Sequence, residues 1–132
     1  MKDKILVFII TYKASFRVLN VVEKIPFSFF RKKNYKILIS DDCSNDNTID
    51  YIKKIKKKYK SKISLNFNKI NQGYGGNIKK CLEYAYKNNF NYAVMIHGDN
   101  QYDPKYLTVM VKELIKNKNI VATVGSRMVK KS

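Results

Sequence analysis

Residues 92–104 read YAVMIHGDNQYDP. The first five, YAVMI, form an apolar run of the length and composition of a buried strand. His97, Asp99, Gln101 and Asp103 then follow at alternate positions. Pro104 opens PKYLTVMVKELIKN (104–117), a helical pattern with Asp103 at its N-cap and proline at its first position. Strand, polar turn and helix make up the repeating unit of a parallel α/β sheet. In such sheets the polar turn at the carboxyl end of a strand is where ligands bind.

The same unit recurs on either side. KILVFII (4–10) reads as a first strand, followed by a helix over ASFRVLNVVEKI (14–25) with helical spacing at Phe16, Leu19 and Val22 or Glu23, ending before Pro26. YKILIS (35–40) is a second strand. NTIDYIKKIKKKYK (47–60) sets Ile49, Ile52, Ile55 and Tyr59 on one helical face and lysines on the other. KISLNFN (62–68) alternates Ile63, Leu65 and Phe67 as a half-buried third strand. NIKKCLEYAYKNN (77–89) is a helix, and IVATVG (120–125) a fifth strand. The expectation is one α/β domain over residues 1–132, with a Rossmann-like, mainly parallel sheet and helices on both faces. Thr11-Tyr12-Lys13, Asp41-Asp42 and His97-Gly98-Asp99 would meet along one edge of it.

Composition narrows the function. Of 132 residues, 27 are Lys or Arg and ten are Asp or Glu, a net charge of +17. Six of the ten acids lie within DDCSNDNTID (41–50) and HGDNQYDP (97–104), so negative charge is gathered at two strand ends. The basic excess suits nucleic acid, an anionic membrane surface or an anionic small substrate. Yet 24 of the 27 bases are Lys beside 14 Asn and 15 Ile, residues that share A/T-rich codons, and lysine runs commonly form solvated faces. No apolar run approaches the ~20 residues of a membrane span. MKDKILVFIITYK lacks a small-residue cleavage site and reads as a strand rather than a signal segment. Cys43 and Cys81 have neither disulfide-scaffold nor metal spacing, which suits a reducing, cytoplasmic compartment.

Two nucleotide-binding classes are excluded by their loops. A dinucleotide fold needs G-x-G-x-x-G after the first strand, where this chain has TYKASF; a P-loop needs a glycine-rich loop ending in Lys-Ser/Thr, and none is present. NQGYGGN (71–77) opens a helix, and its amides suit an anion or, equally, its glycines suit positive φ. His97, Asp99 and Gln101 offer nitrogen and oxygen donors suited to Mg²⁺ or Mn²⁺ held jointly with substrate phosphates. Asp103 has a simpler role as the helix cap, and Asp46 and Asp50 as acids in a first helical turn.

Taken in order, ITYK, SDDCSNDNT, NQGYGGN, HGDNQYDP and GSRM (125–128) resemble the family 2 inverting glycosyltransferases, most of all the polyprenyl-phosphate (dolichyl-phosphate) sugar synthase branch. The likeness spans nearly the whole chain. It implies a GT-A fold, a nucleotide-sugar donor and a divalent metal, Mg²⁺ or Mn²⁺. It assigns Tyr12 to the neighbourhood of the base, Asp42 to base or ribose, Asp99 to the metal, Gln101 to the metal's surroundings and Arg127 to the diphosphate. Thr11, Asn71 and Gly73 join them as donor-site residues. His97 stands where the family usually has the first acid of Asp-x-Asp, and Ile10 and Lys13 replace the common Pro and Asn.

Family catalytic domains usually continue past the point where this chain stops. The expectation is therefore a donor-binding half, the catalytic base lying elsewhere, that serves transfer to a polyprenyl phosphate or saccharide acceptor in the cytoplasm or at the inner face of the membrane. Rival readings are a non-catalytic nucleotide-binding fragment, a basic nucleic-acid binder, which lacks aromatic platforms, and a nucleotidyltransferase, which lacks the Gly-rich basic loop.

Overall fold

The computed structural model describes residues 3–117. The fifth strand over 120–125 and Arg127 lie outside them. Four strands, β1 (Lys4–Thr11), β2 (Asn34–Asp41), β3 (Ile63–Phe67) and β4 (Tyr92–His97), form a parallel sheet in the order β3-β2-β1-β4. Helices α1 (Arg17–Glu23), α2 (Phe27–Phe30), α3 (Thr48–Tyr59), α4 (Gly73–Lys87) and α5 (Leu107–Lys116) connect and flank them.

β1 is almost wholly apolar because it lies between β2 and β4 and is covered on both faces. Its period of two divides it between two cores. Ile5, Val7 and Ile9 pack with Val18, Phe30, Ile52 and Val111 from α1, α2, α3 and α5. Leu6, Phe8 and Ile10 pack with Cys81 and Ala85 of α4. One helix thus covers one face and four cover the other.

Three expectations need correction. The helix over 14–25 is shorter, Arg17–Glu23, and its buried side is Val18, Val21 and Val22. Phe16, expected on that side, is 55% exposed. Lys13 and Ser15 adopt positive φ of 52° and 55°, which delays the helix start. The segment after Pro26 forms α2, an extra turn whose Phe30 enters the core. Finally, α4 begins at Gly73 rather than at residue 77; Gly73 takes the positive φ expected of this stretch, 76°, whereas Gly75 and Gly76 belong to the first helical turn.

Candidate functional site

The strand ends are locked side by side. Past the last residues of β2 and β4, the Asp42 N–H donates to the Thr11 carbonyl at 2.9 Å and the Gly98 N–H to the Ile10 carbonyl at 2.8 Å. The Asn68 N–H donates to the Asp41 carbonyl at 2.9 Å. These bonds continue the ladders by one residue and place Thr11, Asp42, Asn68 and Gly98 on one edge. The absence of a side chain at 98 is essential there. A Cβ would stand 2.5 Å from Thr11 Cγ2 and 3.1 Å from the Ile10 carbonyl oxygen.

The edge encloses a cleft of about 320 Å³. Thr11, Tyr12, Asp42, Asn71, Gly73, His97 and Asp99 all line it. Seven of the nine residues singled out from the sequence therefore converge. Gln101 is not among the lining residues; its side chain is exposed, and its backbone N–H donates to Asp99 Oδ1 at 3.1 Å. Arg127 lies outside the described residues.

The two adjacent acids divide their tasks. Asp41 is fully buried and structural: its Oδ1 accepts from the Thr11 and Ser44 hydroxyls, both at 2.7 Å, and its Oδ2 from the Ser44 N–H at 2.8 Å. Asp42, 4% exposed, faces the cleft. Its Oδ1 accepts from Asn68 Nδ2 at 2.9 Å and the Gln72 N–H at 2.7 Å. The Asn71 side chain donates to the Asp42 carbonyl at 3.1 Å. Behind it, Asn77 accepts from the Ser40 hydroxyl at 2.6 Å and from Asn68 Nδ2 at 3.1 Å.

Sequence reasoning missed Asn68, Asn77 and Tyr74. Asn68 was discoverable, since it directly follows β3 as Asp42 follows β2. Asn77 carried a signal too: it shares the buried face of α4 with Cys81 and Ala85 at intervals of four, where a polar residue requires buried partners. Tyr74 approaches His97 only through the fold. Its hydroxyl is hydrogen-bonded to His97 Nε2 at 3.1 Å, and the rings stack with centroids 5.4 Å apart. Tyr102 flanks the imidazole at 5.3 Å.

The remaining acids resolve as follows. Asp103 accepts from the Lys105 N–H at 2.9 Å and caps the turn that leads into α5, as expected. Asp50 sits in the first turn of α3, whereas Asp46 precedes the helix and accepts from the Thr48 N–H at 3.0 Å. Desolvation pushes the Asp46 carboxyl upward, but hydrogen bonds from Thr48 and the Lys13 ammonium outweigh it and hold the group below its usual range. Among the described residues no group of three His, Cys, Asp or Glu is arranged to hold a metal by itself. Asp99, half-buried on the cleft wall, fits a cation that takes its other ligands from phosphates and water, the common arrangement for Mg²⁺.

Non-glycine residues with positive φ concentrate here. Lys13, Ser15, Cys43 and Asn100 all lie just past the ends of β1, β2 and β4. Backbone strain at one edge is the pattern of a ligand site held open by its surroundings.

Fold and cleft together define a Rossmann-like α/β domain of the GT-A kind, with its site beyond the carboxyl ends of parallel strands. The profile described as glycosyl transferase family 2 matches residues 6–131, and the chain belongs to that family. An uncharacterized protein of Methanocaldococcus jannaschii, MJ0544, is 32% identical over 94 residues, 70% of this chain and 41% of the relative. Among solved structures, S. aureus TarS 1-349 in complex with UDP-GlcNAc superposes with a TM-score of 0.61 at 21% identity, covering 86% of this chain and 31% of that one. The mannosyltransferase PcManGT from Pyrobaculum calidifontis, in complex with GDP-Man and Mn²⁺, gives 0.69 at 16% identity, covering 86% and 33%. The chain thus spans less than half the length of these relatives. No helix among the described residues is long and apolar enough to cross a membrane.

Proposed function

We propose that the chain forms the donor-binding part of a glycosyltransferase that moves a sugar from a nucleoside diphosphate to an acceptor, a polyprenyl phosphate or a saccharide, in glycan or cell-envelope synthesis. The observation that carries this reading is the convergence of Tyr12, Asp42 and Asp99 on one cleft at the sheet edge. Tyr12, 52% exposed, offers a ring face for a base. Asp42 offers an acceptor for base or ribose. Asp99 and His97 lie at the carboxyl end of β4, on the other side of β1 from Asp42, where the diphosphate would extend. Peripheral contact with an anionic membrane fits the +17 charge.

In the reaction an acceptor oxygen attacks the anomeric carbon as its bond to the diphosphate oxygen breaks. A bound divalent metal would supply charge neutralisation on that leaving diphosphate. Asp99 would hold the cation, and the Gln101 N–H keeps the Asp99 carboxylate in place. Tyr74 and Tyr102 fix the His97 ring between them. By resemblance, Arg127 would meet the diphosphate. A hydroxyl acceptor needs a general base, whereas a lipid phosphate is already anionic.

The test is calorimetry of nucleoside diphosphates and their sugars with Mn²⁺ and with EDTA, followed by transfer of labelled sugar to polyprenyl phosphate and to saccharides. Metal-dependent donor binding is expected. Failure to bind any nucleotide, or binding that survives replacement of both Asp42 and Asp99 by Ala, would end this reading.

A further inference from the structure

A second hollow lies on the face of the sheet that α4 covers. The core beneath α4 takes Leu6, Phe8, Ile10 and Leu38 from β1 and β2 and nothing from β3. Ser64 and Asn66 of β3 lie in register with Leu38 and Ser40 and so share that face. Between β3 and the single helix on this side a cavity of about 330 Å³ remains. Lys80, Glu83, Tyr84 and Lys87 of α4 form one wall, and Ser40 and Asn66 lie across from them on the strands. Lys80, Tyr84 and Lys87 recur at i, i+4 and i+7, so they share one side of the helix. The two lysine Cα atoms stand about 10 Å apart along its axis. The hollow shares no lining residue with the cleft at the strand ends.

Its polar groups are of two kinds. Neither the Lys80 and Lys87 ammoniums nor the Glu83 carboxylate between them has a partner among the described residues. Asn66 Nδ2 donates to the Ser40 hydroxyl and to Asn68 Oδ1, both at 2.9 Å. That orients the amide and leaves its Oδ1 as an open acceptor among the described residues. Unpaired ammoniums on flexible stems can close on one phosphate between them. The Asn66 and Glu83 oxygens call for hydroxyl donors instead, and Glu83 disfavours an anion that brings none. Tyr84, half-buried and stacked on Phe90 with centroids 6.1 Å apart, adds apolar surface together with Leu38. The volume lies at the low end for small-molecule sites, which suits one ring rather than a nucleotide. We infer that this hollow is a second ligand site, for a monosaccharide phosphate. Lys80 and Lys87 take its phosphate, and Asn66 Oδ1 and Glu83 its hydroxyls. The inference stands independently of the donor-site reading above.

The experiment is calorimetry of the 1- and 6-phosphates of glucose and mannose against the wild-type chain in EDTA. Inorganic phosphate and the free sugars serve as the two halves of the ligand. At least one sugar phosphate should bind about tenfold or more tightly than either half, because it alone answers both kinds of group. Binding should shift the side-chain amide resonances of Asn66 and persist when UDP and Mn²⁺ are added. It should weaken about tenfold or more in the double variant Lys80→Ala, Lys87→Ala. Both lysines are exposed, a thermal melt verifies the variant's fold, and the wild-type arms stand without it. Inorganic phosphate binding as tightly as the sugar phosphates would reduce the hollow to an unselective anion patch and overturn the inference. Displacement by UDP with Mn²⁺, or loss in Asp99→Ala, would assign the binding to the cleft and overturn it as well. So would binding that the double variant leaves unchanged, or no binding of any sugar phosphate. A chain that binds sugar phosphate but no nucleotide would end the donor-site reading and uphold this one.

Discussion

Asn77 and Ser40 are joined twice. The Ser40 hydroxyl donates to Asn77 Oδ1 at 2.6 Å, and Asn77 Nδ2 donates to the Ser40 main-chain carbonyl at 2.9 Å. Both residues are buried, and the pair ties α4 to β2 directly behind Asp42. Replacing Asn77 by Ala leaves the Ser40 carbonyl without its side-chain partner and the hydroxyl without its acceptor. The expected loss is about 2–3 kcal/mol in urea unfolding. A loss below about 0.5 kcal/mol would mean that water or a rearranged Asn68 serves the orphaned groups equally well.

Gly98 and Gly75 should respond to alanine with opposite signs. At 98 the new Cβ meets Thr11 Cγ2 at 2.5 Å, and Thr11 in turn holds Asp41. At 75, inside α4, a Cβ has nothing within 4 Å. Thermal melts should show Gly98→Ala destabilised and Gly75→Ala stabilised by roughly 0.5–1 kcal/mol, the helical preference for alanine. Equal shifts in the two variants would refute this account of the close approach between β4 and β1.

Asp99→Ala should remove the metal dependence of nucleotide binding. With Mn²⁺ present, UDP affinity in the variant should fall about tenfold or more, to the value measured in EDTA. His97→Asp should keep or strengthen the metal effect, because it adds a carboxylate beside Asp99. Calorimetry that finds the same Mn²⁺ effect in Asp99→Ala and wild type would remove Asp99 from the metal site.

The two cysteines should differ sharply in reactivity. Cys43 is exposed, whereas Cys81 is buried and burial pushes its thiol up to about 11, against a weaker lowering by its Ser40 hydrogen bond. A thiol reagent near neutral pH should modify Cys43 readily and Cys81 only on unfolding. Because the folded-state pKa is raised, the unfolded chain loses the Cys81 proton first. Stability from this group is intact below pH 9.0 and declines as pH rises toward about 11. Thermal melts over that window should fall less steeply for Cys81→Ala than for wild type; parallel slopes would disprove the linkage.

Much of this was readable in the sequence, for identifiable reasons. β1 and β2 announce themselves because strands covered on both faces must be continuously apolar. Asp42, His97 and Asp99 directly follow such runs, so the rule for parallel sheets located them. α1 was misjudged because the turn after β1 takes positive φ at two ordinary residues, Lys13 and Ser15, which no local pattern announces. The glycines of α4 resembled a loop because their helical start depends on a distant event, the docking of the Gln72 N–H on Asp42. Gln101 alternates with Asp99 in sequence yet stands outside the cleft, because Asn100 takes a φ of 65° and breaks the extended register that alternation assumes.

The hydrogen bonds that orient Asp42 come from residues 26 to 30 positions away in the chain. The carboxylate is therefore aimed only after β2, β3 and the start of α4 have found one another, and the cleft it faces is complete only once β4 has joined β1 across a separation of 87 residues, a contact that is slow to form because it closes a long loop. Competence to capture nucleotide should appear as one of the last events of refolding. A fluorescent nucleotide added during that process would then act as a clock for topological completion, lagging behind the recovery of helical circular dichroism.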